Sequence, residues 1–188
     1  MNISIRIATP DDAFFIQKVY AYYVENTTVT FSETLYNVDY YRNLISTLLE
    51  NYPYLIAMDE QNNPVGFACA EPVRTASGYR FSVEVTIYLA NDTPKRKGIA
   101  TLLYSNLLNI LSEQGYCIAY SVIDSNNIPS IHLHERFEFK KLACFEKSGY
   151  KHNRWLNALW MQKQLNPHDN PPREPIPFAV YRKNVVIN

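Results

Sequence analysis

Lys95-Arg96-Lys97-Gly98-Ile99-Ala100 lies between a mostly apolar run, 81–89, and a run with helical apolar spacing, 101–112. The first run reads as a strand and the second as a helix, so the basic segment is the loop that joins them. Such a loop builds an anion site. The first amides of a helix have no intrahelical acceptor, they converge on one point, and the helix dipole makes that point positive. Lys95, Arg96 and Lys97 add charge beside it, and Gly98 lets backbone approach a ligand closely.

The chain has only five glycines, so one in a basic loop carries weight. The segment lacks the glycines of a Walker loop or of a Gly-x-Gly-x-x-Gly dinucleotide fingerprint, which leaves a different phosphate cradle or a solvated basic helix start. Eighteen basic residues balance eighteen acidic ones, so no net field draws the chain to nucleic acid or to a membrane surface, and attraction for anions must be local. No apolar run approaches the roughly eighteen residues of a membrane span, and the N-terminus lacks a leader pattern; a cytoplasmic protein is expected. Cys69, Cys117 and Cys144 lie far apart in strand-like segments, read as core residues, and lack the paired spacing of zinc or disulfide frameworks; no metal is implied.

At 188 residues and 47% hydrophobic, the chain suits one globular domain with a substantial core. Ile3, Ile5 and Ile7 alternate as a first strand, and Thr9-Pro10-Asp11-Asp12 caps a helix to about Val24. A second helix covers 38–49. Strands cover 54–58 and 65–73, joined by Asp59-Glu60-Gln61-Asn62-Asn63-Pro64. After the basic loop and its helix, Gly115 precedes a strand over 116–123, Asp124-Ser125-Asn126-Asn127 caps a short helix to Arg136, and strands over 139–146 and 155–162 finish the pattern. The expected fold is α/β (α+β): a mixed central sheet of about six to seven strands flanked by about four helices, in a domain covering 1–165. A Pro-rich tail, 166–188, should run over the surface, with Phe178-Ala179-Val180-Tyr181 and Val185-Val186-Ile187 as material for an added edge strand.

This order of elements, with Lys95-x-x-Gly98-x-Ala100 between the fourth strand and third helix, resembles the acetyl-CoA-dependent N-acetyltransferases of the GCN5-related (GNAT) superfamily over residues 3–165. Within it the chain looks most like the phosphinothricin and methionine-sulfone or sulfoximine N-acetyltransferases. The segments carrying that likeness are Thr28-Val29-Thr30-Phe31, Tyr79-Arg80-Phe81-Ser82-Val83-Glu84, Ile131-His132-Leu133-His134-Glu135-Arg136-Phe137 and Arg154-Trp155-Leu156. Two departures stand out: Arg96 occupies a position where glycine is common, and Glu138 replaces the glycine of the usual Leu-Gly-Phe, so the turn after the short helix is expected to differ.

The resemblance implies that acetyl-CoA is the cosubstrate and that the amides over Lys95, Arg96, Lys97, Gly98, Ile99 and Ala100 bind its pyrophosphate. Backbone of Ile87, Tyr88 and Leu89 would pair with the pantetheine arm at a splayed sheet edge, and Asn127 and Ser130 would offer side-chain hydrogen bonds. Acetyl transfer to an amine needs a group to take the amine's proton and a means of stabilising the departing thiolate. Glu84 is expected to be the base, because a carboxylate inside an apolar strand is desolvated and its pKa rises. The alternative is an outward-facing glutamate. His134 is implied as the acid near the coenzyme sulfur, the alternative being a histidine that only packs or hydrogen-bonds. Arg74 and Arg80 are candidates to clamp an acceptor carboxylate, with Phe31, Tyr79 and Trp155 as pocket walls.

The reading is an N-acetyltransferase acting on the α-amine of a small amino-acid-like compound by direct attack in a ternary complex. It is expected to form a homodimer, with no nucleic-acid or membrane partner. A protein N-terminal or polyamine acetyltransferase, and a coenzyme-binding module without catalysis, are the alternatives.

Overall fold

The computed structural model describes residues 2–94 and 97–183. Lys95 and Arg96, and the expected strand residues Val185, Val186 and Ile187, lie outside them. The described chain contains β1 (Ser4–Ile7), α1 (Ala13–Asn26), α2 (Val38–Asn51), β2 (Tyr54–Met58), β3 (Pro64–Pro72), β4 (Ser82–Leu89) and α3 (Ile99–Gln114). It continues with β5 (Ile118–Asp124), α4 (Ile128–Arg136), β6 (Lys140–Lys151), β7 (Arg154–Gln164) and α5 (Phe178–Tyr181). The strands make one seven-stranded sheet in the order β1-β2-β3-β4-β5-β7-β6, antiparallel except for the β4–β5 pair.

Local chemistry explains the joints. Asp12 forms a capping box with Thr9 and takes both Arg6 guanidinium nitrogens at 2.6 and 2.8 Å, which ties β1 to the start of α1. Asp59 accepts from the amides of Gln61 and Asn63, closing the β2–β3 turn. β2 and most of β3 are buried on both faces, as strands with helices on each side must be. Phe67, Cys69 and Glu71 on β3, with Glu84, Thr86 and Tyr88 on β4, share the face that meets α1 and α2. By alternation, Ala68, Ala70, Val83 and Val85 face α3.

The feature that positions the site is where β4 and β5 part. Their parallel pairing runs only from Ser82↔Ile118 to Glu84↔Tyr120, whereas β4 stays paired with β3 to its last residue, Leu89↔Gly66. Beyond Glu84, β4 therefore has one open edge, as the coenzyme mode requires.

Two expectations change. Phe178-Ala179-Val180-Tyr181 is the short helix α5 rather than a strand: Phe178 and Tyr181 are one turn apart on one side and both bury in the core, which suits a helical turn and not an exposed edge. Cys144 is exposed on β6, while Cys69 and Cys117 are buried as expected; β6 is an edge strand, so an apolar run there does not mean burial.

Candidate active site

Two cavities meet at β4. The larger, about 890 Å³, runs from Ile87, Tyr88 and Leu89 past Gly98, Ile99 and Ala100 to Asn127, Ser130 and Arg136. Gly98 is the N-cap of α3 with φ 77, the left-handed region where a side chain is strained; a Cβ would meet no atom within 4 Å. Backbone conformation, not space, therefore favours glycine here. The turn leaves the first amides of α3 facing the cleft beside Lys97, an anion cradle joined to a strand's open edge. Tyr23 Oη donates to the Leu89 carbonyl at 2.8 Å, so that oxygen is already engaged. Asn127 caps α4 by accepting from the Ser130 amide at 3.3 Å, and both residues line the cleft.

The second cavity, about 400 Å³, opens on the other side of Val29 and Tyr88, which line both. Its walls are Tyr20, Phe31, Tyr40, Tyr41, Tyr54 and Phe67, and its charged residues are Glu71 and Glu84. Burial first and the neighbouring Glu71 second push the Glu84 carboxyl up to about 7, with Arg74 opposing both. Burial also raises Glu71. At neutral pH Glu84 is thus poised to take a proton.

The loop dividing the cavities is pinned on every side. Thr28 Oγ1 donates to the buried Asp124 carboxylate at 2.5 Å and accepts from Arg154 at 3.0 Å. Thr30 Oγ1 is 2.7 Å from Tyr20 Oη. Lys151, 1% exposed, donates from Nζ to the carbonyls of Thr30 at 2.9 Å and Tyr23 at 3.3 Å, and burial lowers its pKa. Phe31 lies against Gly149 so closely that a Cβ there would be 2.4 Å from the ring. These contacts fix Val29 between the two cavities.

His134, 2% exposed, lines a small third cavity where β4 and β5 part. Nδ1 lies 2.8 Å from the Ser130 carbonyl, which can only accept, so Nδ1 carries the proton. Nε2, 2.6 Å from Tyr104 Oη, then accepts from that hydroxyl. Burial lowers the ring's pKa. Ser121 Oγ in the same cavity is buried without a partner among the described residues.

The structure thus gathers Glu84 and Phe31 in one cavity and Ile87 to Leu89, Lys97 to Ala100, Asn127 and Ser130 in the other. Four expected wall or clamp residues, Arg74, Tyr79, Arg80 and Trp155, do not line the second cavity. Tyr79 is 51% exposed in a 3-10 turn, and Trp155 is 60% exposed against Tyr150. Arg80 makes a bidentate pair with Glu174 of the tail and covers Phe81. Arg74 stacks over Trp160 at 5.7 Å, near enough to Glu84 to act on its charge. The reading from sequence missed Glu71, Tyr104 and the dividing role of Val29. Glu71 had a signal, a charge ending the apolar run 65–70; Tyr104 had none, being one more aromatic in a helix.

A strand-edge and helix-start cleft beside a half-buried carboxylate defines a class, and the comparisons agree. Residues 5–160 match the acetyltransferase (GNAT) domain model, and the chain belongs to that family. It is 31% identical over 173 residues to an L-methionine sulfoximine/L-methionine sulfone acetyltransferase of Pseudomonas aeruginosa, covering 92% of this chain and 100% of the relative. A phosphinothricin N-acetyltransferase of Streptomyces viridochromogenes is 29% identical over 163 residues, covering 87% of this chain and 88% of the relative. The crystal structure of a phosphinothricin acetyltransferase from Sinorhizobium meliloti in complex with AcCoA matches with TM-score 0.87 at 32% identity, over 94% of this chain and 96% of that one. The chain is therefore an N-acetyltransferase that uses acetyl-CoA. Among the described residues no cluster of side chains could hold a metal ion and no helix is long and apolar enough to cross a membrane.

Proposed function

We propose that this enzyme acetylates the α-amine of a small amino-acid-like compound of the phosphinothricin, methionine sulfone or methionine sulfoximine class, by direct attack in a ternary complex. The observation carrying the mechanism is that Glu84 lies in the acceptor cavity on the strand whose open edge lines the coenzyme cleft. Names of the relatives support the substrate class.

Amides at the start of α3 hold the pyrophosphate, and the open edge of β4 aligns the pantetheine arm. Glu84 removes a proton from the acceptor ammonium, directly or through water; the amine nitrogen bonds to the acetyl carbon, the carbon–sulfur bond breaks, and the nitrogen's second proton goes to the thiolate. His134 enters as a positioning residue, because neither ring nitrogen has a proton to spare: Nδ1–H is held by Ser130 and Nε2 by Tyr104. Arg74, exposed outside the cavity lining but close enough to act on the Glu84 charge, is the guanidinium for an acceptor carboxylate; Arg80, held by Glu174, is not free for that work. A homodimer is supported by Leu142, Phe145, Tyr150 and Trp155, large side chains each more than half exposed on the β6–β7 hairpin.

The test is coenzyme release, read with a thiol reagent, from acetyl-CoA with methionine sulfone, methionine sulfoximine, phosphinothricin, ordinary amino acids, short peptides and polyamines. Turnover confined to the first three is expected, with Arg74→Ala raising KM about tenfold at similar kcat, the loss of one charge-assisted pair. Turnover only with peptides or polyamines overturns the substrate class, and coenzyme binding without product from any amine overturns the enzyme reading.

A further inference from the structure

Glu71 is not needed for the mechanism just given, yet it stands directly across from Glu84 in the antiparallel β3–β4 ladder. Opposed residues on one face have Cβ atoms about 5 Å apart, and like charges there are unfavourable. Two carboxyls are thus held side by side at the base of a tyrosine-walled cavity, and both point into it. An independent feature addresses the same space. Tyr41, 5% exposed, lines this cavity, and its buried hydroxyl has no side-chain hydrogen-bond partner among the described residues, although the Tyr36 backbone acts on it. A buried hydroxyl left so costs about 1–3 kcal/mol unless a ligand meets it.

We propose that Glu71 and Glu84 form one acceptor-binding carboxyl pair that seats a primary alkyl- or arylalkyl-ammonium head between them and takes its proton, with the Tyr41 hydroxyl as a further contact. The proposal rests on the acetyltransferase reading for its outcome but not for its geometry. Burial raises both carboxyls, Glu84 to about 7, so the two side-by-side groups resist ionising together and an ammonium between them favours their charged forms. The free carboxylate takes one N–H proton; the amine lone pair forms the bond to the acetyl carbon; the second N–H proton leaves with the thiolate, and the pair returns its proton to solvent.

Other groups around the pair do not replace it. Burial raises the hydroxyls of Tyr20 on α1, Tyr41 on α2, Tyr54 on β2 and Tyr88 on β4, and the thiol of Cys69 on β3, so all are neutral at pH 7. Tyr40 completes the α2 wall, and Tyr120 lies beside Glu84 on β5. Arg74 is the cation that acts on Glu84. The aromatic walls suit an apolar body behind the ammonium head.

The experiment is a carboxyl ¹³C NMR titration of full-length protein labelled at glutamate, comparing wild type, Glu71→Gln, Glu71→Asp and Glu84→Gln, with 2-phenylethylammonium and with 2-phenylethanol as its neutral counterpart. In Glu71→Gln the Glu84 signal should titrate about one pH unit lower, because a neighbouring negative charge is gone. Glu71→Asp should keep most of that coupling. The ammonium, not the alcohol, should lower the titration of the wild-type pair. An unchanged Glu84 titration in Glu71→Gln overturns the pair, and so does a response to the alcohol equal to that of the ammonium. These readings need no turnover, so failure of every amine in the acetylation panel would strike the proposed function alone.

Discussion

Glu84 carries both the chemistry and a cost at the residue scale. Its carboxyl is raised in the fold to about 7 from an ordinary 4.5, so the folded state prefers the protonated form. That preference is fully present below the unfolded pKa and is lost as pH rises through about 7, so the wild type loses stability over that window. Glu84→Gln cannot ionise and should be more stable than wild type by roughly 2 kcal/mol at pH 8, with no difference at pH 4. Thermal melts across that range check it; equal stabilities at both pH values would mean an ordinary exposed carboxylate. Lys151 makes the opposite kind of contribution. Lys151→Met leaves the Thr30 and Tyr23 carbonyls without their ammonium, so about 1–3 kcal/mol of stability should go, with KM for the acceptor rising as Val29 and Phe31 loosen. Glu84 was legible because a charge inside an apolar strand is itself informative. Glu71 showed the same kind of signal, a charge ending an apolar run, but its pairing with Glu84 did not, since that depends on register and register is invisible in a single segment.

At the scale of elements, the helix starts and ends are where local residue choice matters most. Gly98 at φ 77 opens α3, and Gly98→Ala should cost about 1 kcal/mol of stability and weaken coenzyme binding, measured by titration calorimetry, because the left-handed turn aims the amides at the cleft. Glu138 presents the reverse case. It stands after α4 at φ 64, the same left-handed region, and its carboxylate reaches Lys163 at 3.1 Å while remaining exposed. The turn keeps the backbone shape that glycine favours although glutamate occupies it. Glu138→Gly should therefore raise stability by about 1 kcal/mol in denaturant titration, and a loss would show that the Lys163 contact outweighs the strain. Each strand and α-helix before residue 165 was legible from periodicity, although β6 runs to Lys151, five residues past its expected end, and the 3-10 turn at Ser77–Tyr79 was not foreseen. What periodicity could not supply was the parting of β4 from β5: it is a property of two strands together.

Across the whole molecule, residues 166–181 bind back onto their own chain instead of trailing from it. The Asn166 side-chain amide donates to the carbonyls of Ser112 and Tyr116, Ile176 exchanges hydrogen bonds with Gln114, and Tyr181 donates to Glu113. Phe178 is fully buried. Phe178→Ala should cost about 3 kcal/mol and lower Tm by roughly 6–12 °C, whereas a free tail would leave Tm unchanged. Composition had marked this segment as Pro-rich, and composition is blind to two apolar residues one turn apart that fill a gap in a distant core. The same tail holds Arg80 through Glu174, so one ion pair links it to the start of the strand that carries Glu84. The most direct measurement on the enzyme is the single-turnover rate of acetyl transfer from bound acetyl-CoA, followed from pH 5 to 9 in wild type and Glu84→Gln. A rate that climbs through a limb near pH 7 in wild type, and falls by about 10²-fold or more with loss of that limb in Glu84→Gln, is the expected result. A Glu84→Gln enzyme with the wild-type rate and limb would contradict the assignment of this half-buried carboxylate as the base.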